Sequence, residues 1–198
     1  MSRALTNLAT ALVVGPLLAL GLTGCGSDEP ASKPLPVAEP SPSTPPGLDT
    51  TRPTPPAKVA QTAASAGEFA RYFADVVQYA VRIRDITPVA GLARDQATCS
   101  SCRQLSDYIE GLKKDKLWTN GDDIQVGRLL VGTRGGTAYN VKAPMTYPRI
   151  SFVDLQGKED SSQKVTPYRL DVDLVWDADR GRWQVDDYTF AEKGRTRP

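Results

Sequence analysis

The sequence predicts an α+β domain of three N-terminal helices packed on a curved antiparallel sheet of about five strands, cone-like in outline. A signal peptide and a disordered tether precede it. Three observations carry this expectation. Apolar residues follow helical spacing from Phe69 to Ile83. From Ile124 onward the apolar period falls to two, as in strands with one buried face. Helical patterns are grouped ahead of strand patterns, which favours helices gathered on one side of an antiparallel sheet over an alternating α/β fold.

The chain of 198 residues divides into four stretches. Residues 1–24 read as a signal peptide: Arg3 and the amino terminus supply positive charge, and Leu8 to Leu22 is almost wholly apolar. The run is too short and ends in residues too small for a membrane span. Leu22-Thr23-Gly24-Cys25 resembles the bacterial lipobox, an aliphatic residue, a small one, Gly and then Cys. The resemblance implies cleavage between Gly24 and Cys25 and a thioether-linked diacylglycerol on Cys25, because only a thiol accepts that group. The competing reading is an uncleaved anchor with an incidental cysteine. Residues 25–64 read as a lipid-anchored disordered tether. Ten prolines fall between residues 26 and 56, and no apolar periodicity offsets the entropy of ordering. Extended at about 3.1 Å per residue, roughly thirty such residues reach on the order of 90 Å. Residues 65–192 form the domain and 193–198 a flexible tail.

Within the domain, Phe69, Tyr72, Phe73, Val76, Ala80 and Ile83 share one helical face, and Ser65 with Glu68 makes a capping box. This helix is expected to run to about Asp85. Thr87-Pro88 reads as the N-cap and first position of a short second helix through Ala93. A third helix starts near Ser101, buries Leu105, Tyr108, Ile109 and Leu112, and ends near Trp118. Ile124 to Thr133 and Thr137 to Tyr147 flank Gly135-Gly136, a hairpin signal. Ile150 to Leu155 is a third strand, followed by a polar loop through Lys164. Tyr168, Leu170, Val172, Leu174 and Trp176 alternate, and Asp179 to Gly181 turns the chain into a last strand, Trp183 to Phe190. The alternation slips between Val185 and Tyr188, which places a bulge at Asp186-Asp187.

The order of elements resembles the nuclear-transport-factor-2-like superfamily, in which a long first helix closes a cone over a curved sheet. Phe69-Ala70-Arg71-Tyr72-Phe73, Cys99-Ser100-Ser101-Cys102 and Trp183-Gln184-Val185-Asp186-Asp187-Tyr188 are similar to a family of actinobacterial lipoproteins whose domain has no known function. The resemblance covers about residues 65–190. It implies an exported, lipid-anchored domain and no particular reaction.

Composition removes several function classes. Histidine is absent, which excludes His-based triads, His general bases and most catalytic zinc sites. Basic and acidic residues number 24 and 23, and loss of Arg3 with the signal peptide leaves 23 of each, a poor match for a nucleic-acid binder. No metal or cofactor is expected. Cys99 and Cys102 form a CxxC at a helix start. Thiol–disulfide exchange needs a buried strand before the first cysteine, and Arg94 to Thr98 is polar, so a structural disulfide is the preferred reading outside the reducing cytosol. Asp177-Ala178-Asp179-Arg180-Gly181 lacks the remaining ligands of a calcium loop and reads as a hairpin turn. Asp171 and Asp173 alternate with buried residues and are expected in solvent.

Tyr72, Tyr79, Tyr108, Trp118, Tyr139, Tyr147, Trp176 and Trp183 either fill the core or line a pocket between helices and sheet. The candidate pocket is Tyr72, Asp75, Tyr79, Trp118, Tyr139 and Asp187. Two function classes stay open. One is a non-catalytic, membrane-anchored envelope module on the extracytoplasmic face, binding an envelope protein or a small apolar ligand. The other is a His-free enzyme of isomerase or dehydratase type, with Asp75 or Asp187 as acid/base inside an apolar pocket. An envelope thiol–disulfide protein is a third.

Overall fold

A computed structural model describes residues 44–192. The signal peptide, Gly24, Cys25, the first part of the tether and the 193–198 tail lie outside the described residues. Helix α1 spans Ala63–Ile83. Its N-cap is Thr62, not the expected Ser65: the Thr62 side chain accepts from the Ser65 N–H at 3.2 Å. Ser65 instead lies inside the helix and is buried. The periodic face is buried as the spacing predicts, and Ala66, Ala70 and Ala74 let the helix sit close to its neighbours. Arg84, left-handed at φ 54°, ends the helix by donating its N–H to Ala80 and Val81 carbonyls.

Helix α2 covers only Thr87–Ala90. The Asp85 carboxylate accepts from the Thr87 N–H and hydroxyl at 2.9 and 2.7 Å. It stops short of Ala93 because residues 92–94 are taken by the sheet: Val185 N–H donates to Leu92 O and Arg94 N–H to Val185 O. Helix α3 spans Ser100–Lys114, with Cys99 as N-cap. The chain turns at Lys116, φ 56°, so Trp118 starts a strand and does not end the helix as expected.

The strands are β1 Trp118–Gly121, β2 Gln125–Val126, β3 Leu130–Gly135, β4 Ala138–Tyr147, β5 Ile150–Val153, β6 Glu159–Gln163, β7 Thr166–Asp177 and β8 Arg182–Glu192. They form two sheets instead of the expected single one. The larger runs β2-β4-β7-β8, with β3 also on β4, and all its pairs are antiparallel. The smaller is β1-β5-β6. The strand expected from Ile124 to Thr133 is split at residues 127–129. Pro144, opposite the break, accepts from the Gly127 N–H at 2.8 Å, so its own proton-less nitrogen faces the same edge and cannot continue the ladder. Expected features that do appear include the Gly135-Gly136 turn, at φ 103° and 56°, and the β8 bulge, where Asp173 pairs Asp187 and Leu174 pairs Val185.

Residues 44–62 contain no helix or strand, yet they are not free tether. Pro45 is buried, and Pro46 packs against Gly157, whose added Cβ would lie 3.4 Å from Pro46 Cγ. Ala60 N–H donates to Ser65 Oγ at 3.1 Å.

The core joins α1 to the inner face of β4, β7 and β8. Trp183, 1% exposed, packs edge-on to Tyr139 and Trp176 at 5.2 and 5.1 Å and donates its Nε1 proton to Ser65 Oγ on α1 at 3.1 Å. Trp183→Ala is expected to cost about 4 kcal/mol, as a large buried aromatic leaving a cavity does. Trp183→Phe keeps most of the ring, loses the hydrogen bond and should cost about 1 kcal/mol from that bond. Urea midpoints of the two variants check the difference.

Candidate functional site

The larger sheet's inner face ends in aromatic residues. Along β4 the inward series Val141, Ala143, Met145 reaches Tyr147; β7 opens with Tyr168; and β8 presents Tyr188 opposite Val172 and Phe190 opposite Leu170. Beyond Tyr147 the chain leaves for the smaller sheet, and helix α3 crosses β8. Between them lies a cavity of about 410 Å³, within the range of small-molecule sites. Helix α1 lines it with Val77, Gln78, Val81 and Arg82, spaced to share one face, and α3 with Leu105 and Tyr108. Strand β1 contributes Thr119 to Gly121, and Ile150 and Gln163 close the smaller sheet's side.

The walls differ in chemistry. On the sheet side Tyr147 meets Tyr168 edge-on at 5.3 Å and Phe190 at 6.3 Å, and Tyr188 lies 5.2 Å from Phe190. Burial pushes the Tyr147 phenol well above its ordinary range, and the nearby phenols of Tyr108 and Tyr168 add to the effect. Tyr188 is raised by burial first, then by Tyr147 and Asp187; Tyr108, expected to be buried by α3, is 45% exposed, and partial desolvation raises it. These phenols therefore keep their protons and can donate. On the α1 side Gln78 Nε2 donates to Asp122 O at 2.7 Å, and Gln78 Oε1 accepts from Ile124 N–H at 3.0 Å. Arg82 donates to Gly121 O at 2.6 Å and to Asp123 Oδ1 at 3.1 Å. Gln78 and Arg82 are thus buried polar residues with their partners supplied by the β1–β2 connection. Among the described residues no Asp or Glu lines the cavity.

Of the six residues singled out as a pocket, none lines this cavity. Tyr72 and Tyr79 face a separate hollow of about 580 Å³ between α1, α2 and Arg52, whose rim also carries Asp85 and Arg182. Trp118 is buried beneath the Arg84 guanidinium, 3.5 Å from its ring centre, and Tyr139 packs on Trp183. Asp75 is half-buried on α1; burial and the charge of Asp123 raise its carboxyl, and Arg71 opposes them. Asp187 sits in the bulge and serves the N-terminus of α3. Its Oδ1 accepts from Ser101 N–H at 3.2 Å and Tyr188 N–H at 2.9 Å, and its Oδ2 accepts from Ser100 Oγ at 3.0 Å. Ser101 Oγ in turn donates to Tyr188 O, and Tyr188 OH to Ser101 O at 3.3 Å. Asp187→Ala should cost about 2 kcal/mol through these lost hydrogen bonds at a helix start, where the dipole favours an anion. An unchanged thermal midpoint would contradict that capping role.

Cys99 and Cys102 form a disulfide across the first turn of α3, with Cα atoms 5.2 Å apart. Both are buried, and the preceding segment is a loop. The tie closes a short loop worth about 2 kcal/mol in the chain-entropy model. Asp171 and Asp173, expected in solvent, are half-buried and both accept from the Asn140 amide, at 2.6 and 2.8 Å. Lys142 and Arg134 pair with them. Among the described residues no group of three or more His, Cys, Asp or Glu is placed to hold a metal ion, and no helix is long and apolar enough to cross a membrane.

Among solved structures, the chain is similar to the intermembrane space region of the chloroplast protein ARC6, at 14% identity over 67% of this chain and 98% of that one, TM-score 0.49. It is similar to a nuclear transport factor 2-like superfamily protein from Salmonella enterica serovar Typhimurium, at 11% identity over 69% and 96%, TM-score 0.44. A scytalone dehydratase-like protein from Novosphingobium aromaticivorans gives 12% identity over 61% and 88%, TM-score 0.38. No curated protein matches the sequence. A sequence profile described as "Family of unknown function (DUF6318)" matches residues 38–189.

Proposed function

The chain belongs to the DUF6318 family of unknown function, and on that premise we propose that it is a lipid-anchored, non-catalytic binding module of the cell envelope. Cys25 carries the lipid on the extracytoplasmic face, and the proline-rich segment that follows holds the domain away from the bilayer. The domain binds a small molecule with an apolar body between α1, α3 and the sheet. The observation that carries the binding role is the cavity of about 410 Å³, with aromatic and aliphatic walls and a few polar groups at one side. The Cys99–Cys102 disulfide supports a compartment outside the reducing cytosol.

Phenylbutanol, an apolar ring with one hydroxyl, is a suitable probe. Titrated calorimetrically into the detergent-solubilised full chain, against a micelle blank, it should bind saturably. Leu105→Trp puts a larger ring into the cavity from α3 and should abolish that binding while leaving the unfolding midpoint within about 1 kcal/mol of wild type, since Leu105 is only partly buried. Val81→Phe fills the same space from α1. Saturable binding that survives both substitutions would remove the cavity from the proposal.

A further inference from the structure

The polar side of the cavity is electrically one-sided. Among the described residues its lining contains one arginine, Arg82, and no carboxylate. Its other polar groups include proton donors, in the phenols of Tyr108, Tyr147 and Tyr168, the Asn120 amide and the Thr119 hydroxyl. A charged guanidinium beside apolar walls needs anionic compensation. Two carboxylates supply it from outside the lining. Asp123 makes a direct hydrogen bond to Arg82 Nη1 at 3.1 Å. Asp49, from the segment that leads into α1, stands 3.9 Å from the same nitrogen and is 61% exposed, whereas the Arg82 side chain is 11% exposed. At that distance Asp49 contributes charge without a hydrogen bond. Its carboxyl is held below the usual range by hydrogen bonds from the Thr51 N–H and hydroxyl, so it is ionised at neutral pH.

We propose that the cavity selects amphipathic monoanions: the apolar body lies among the tyrosines, and the anionic head takes the place of Asp49 at Arg82. This rests on the binding role proposed above and names its ligand class. An oxyanion entering from the cavity makes a charge-assisted hydrogen bond where Asp49 makes none. Arg82 is already oriented by its bond to Gly121 O, so little side-chain freedom is lost on binding. A cationic ligand meets the arginine and finds no acid in the lining. A neutral ligand gains only the apolar contacts and a phenol or amide hydrogen bond. Asp49 is therefore an internal competitor for the anionic head.

The test compares phenylbutanol, phenylbutanoate and phenylbutylamine, one body with a neutral, anionic and cationic head. Each is titrated calorimetrically at neutral pH into the detergent-solubilised full chain and into its Asp49→Asn variant. Phenylbutanoate should bind about tenfold more tightly than phenylbutanol, as a hydrogen bond to a charged group provides, and phenylbutylamine more weakly than both. Asp49→Asn should tighten phenylbutanoate roughly two- to fivefold, the scale of an exposed ion pair, and leave phenylbutanol unchanged. Asp49 is exposed, so the variant is expected to fold, and its thermal midpoint verifies that. Equal affinity for the alcohol and the carboxylate, or tightest binding of the amine, overturns anion selectivity while leaving the cavity as a binding site. A carboxylate affinity indifferent to Asp49→Asn overturns the displacement. If neither the alcohol nor the carboxylate binds saturably, the binding role itself fails, and that outcome is distinct from the others.

Discussion

Raising the pH above 10 should unfold the domain, and the transition should coincide with ionisation of Tyr147 and Tyr188. The ordinary phenol value is 10.0, and burial raises both residues above it in the folded state. In the window between the ordinary and the raised value, the unfolded chain has released protons that the native state still holds. Stability then falls as pH rises, by about 1.4 kcal/mol per pH unit for each tyrosine, or about 3 kcal/mol per unit for the pair. Domains of this kind are stable by roughly 5–15 kcal/mol in total, so a climb of a few units is decisive. Below 10 the two phenols are protonated in both states and contribute no slope. Rapid pH jumps read by tyrosinate absorbance and far-ultraviolet circular dichroism should show an early wave from accessible tyrosines and a later one coincident with loss of structure. Tyr147→Phe should remove about half of the slope. A single ionisation wave near pH 10 with the fold intact would show that these phenols are not sequestered by the cavity walls.

The elements legible in the sequence are those whose burial is one-sided and regular. Strand β4 alternates from Val141 to Met145 and β7 from Leu170 to Leu174, each inward residue buried, so period two was a direct imprint of the sheet face. The slip at Asp186 was readable because Val185 and Tyr188 are both buried and cannot be so in a continuous strand. Strand β6, Glu-Asp-Ser-Ser-Gln, had no such imprint: all its side chains are exposed, and it is held by backbone pairing with β5 and by exposed polar contacts from Glu159 and Ser162 to Ser151 and Arg149. Strand β1 was absorbed into the end of α3 because Trp118 continues that helix's apolar spacing. What separates them is the left-handed turn at Lys116, which a lysine does not advertise.

The cavity was less legible than the fold. Its aromatic lining comes from positions 108, 147, 168, 188 and 190, on α3 and three strands, and is assembled only where those elements end together. Alternation identified Tyr147 and Tyr168 as inward without saying whether inward meant core or hollow. Tyr139 lies on the same strand as Tyr147 yet is packed on Trp183. Arg82 lies off the apolar stripe of α1, where a charged residue normally faces solvent, so the spacing gives no sign of its burial. Its partners, Gly121 O and Asp123, lie some forty residues away in a connection whose course no local pattern reveals. Asp187 drew attention as a candidate acid for the same reason that it is structural: a bulge turns a carboxylate out of the regular strand pattern, here onto the first turn of α3.

Replacing Cys25 by Ser should abolish lipid attachment completely while leaving the folded domain intact. In the proposed anchor the lipid would be attached through a thioether, which the hydroxyl of serine cannot form, and Leu22-Thr23-Gly24 supplies the aliphatic and small residues that precede a lipobox cysteine. In that proposal the number of acyl chains sets the strength of anchoring. Each buried methylene contributes about 0.8 kcal/mol; one acyl chain gives marginal, reversible attachment, whereas the two of a diacylglycerol hold stably. The domain should not sense the change, because proline-rich sequence separates Cys25 from the described residues near Pro45 that pack against the domain. Cells grown with a fatty-acid analogue should yield a labelled wild-type chain and an unlabelled Cys25→Ser chain, with the same protease-resistant domain in both. Membrane fractionation alone does not decide the matter, since an unprocessed chain stays bound through its apolar leader. Mass spectrometry completes the test: the wild-type chain should begin at a modified Cys25, and a wild-type chain that carries no label or retains Met1 would exclude the lipid anchor from the proposed function.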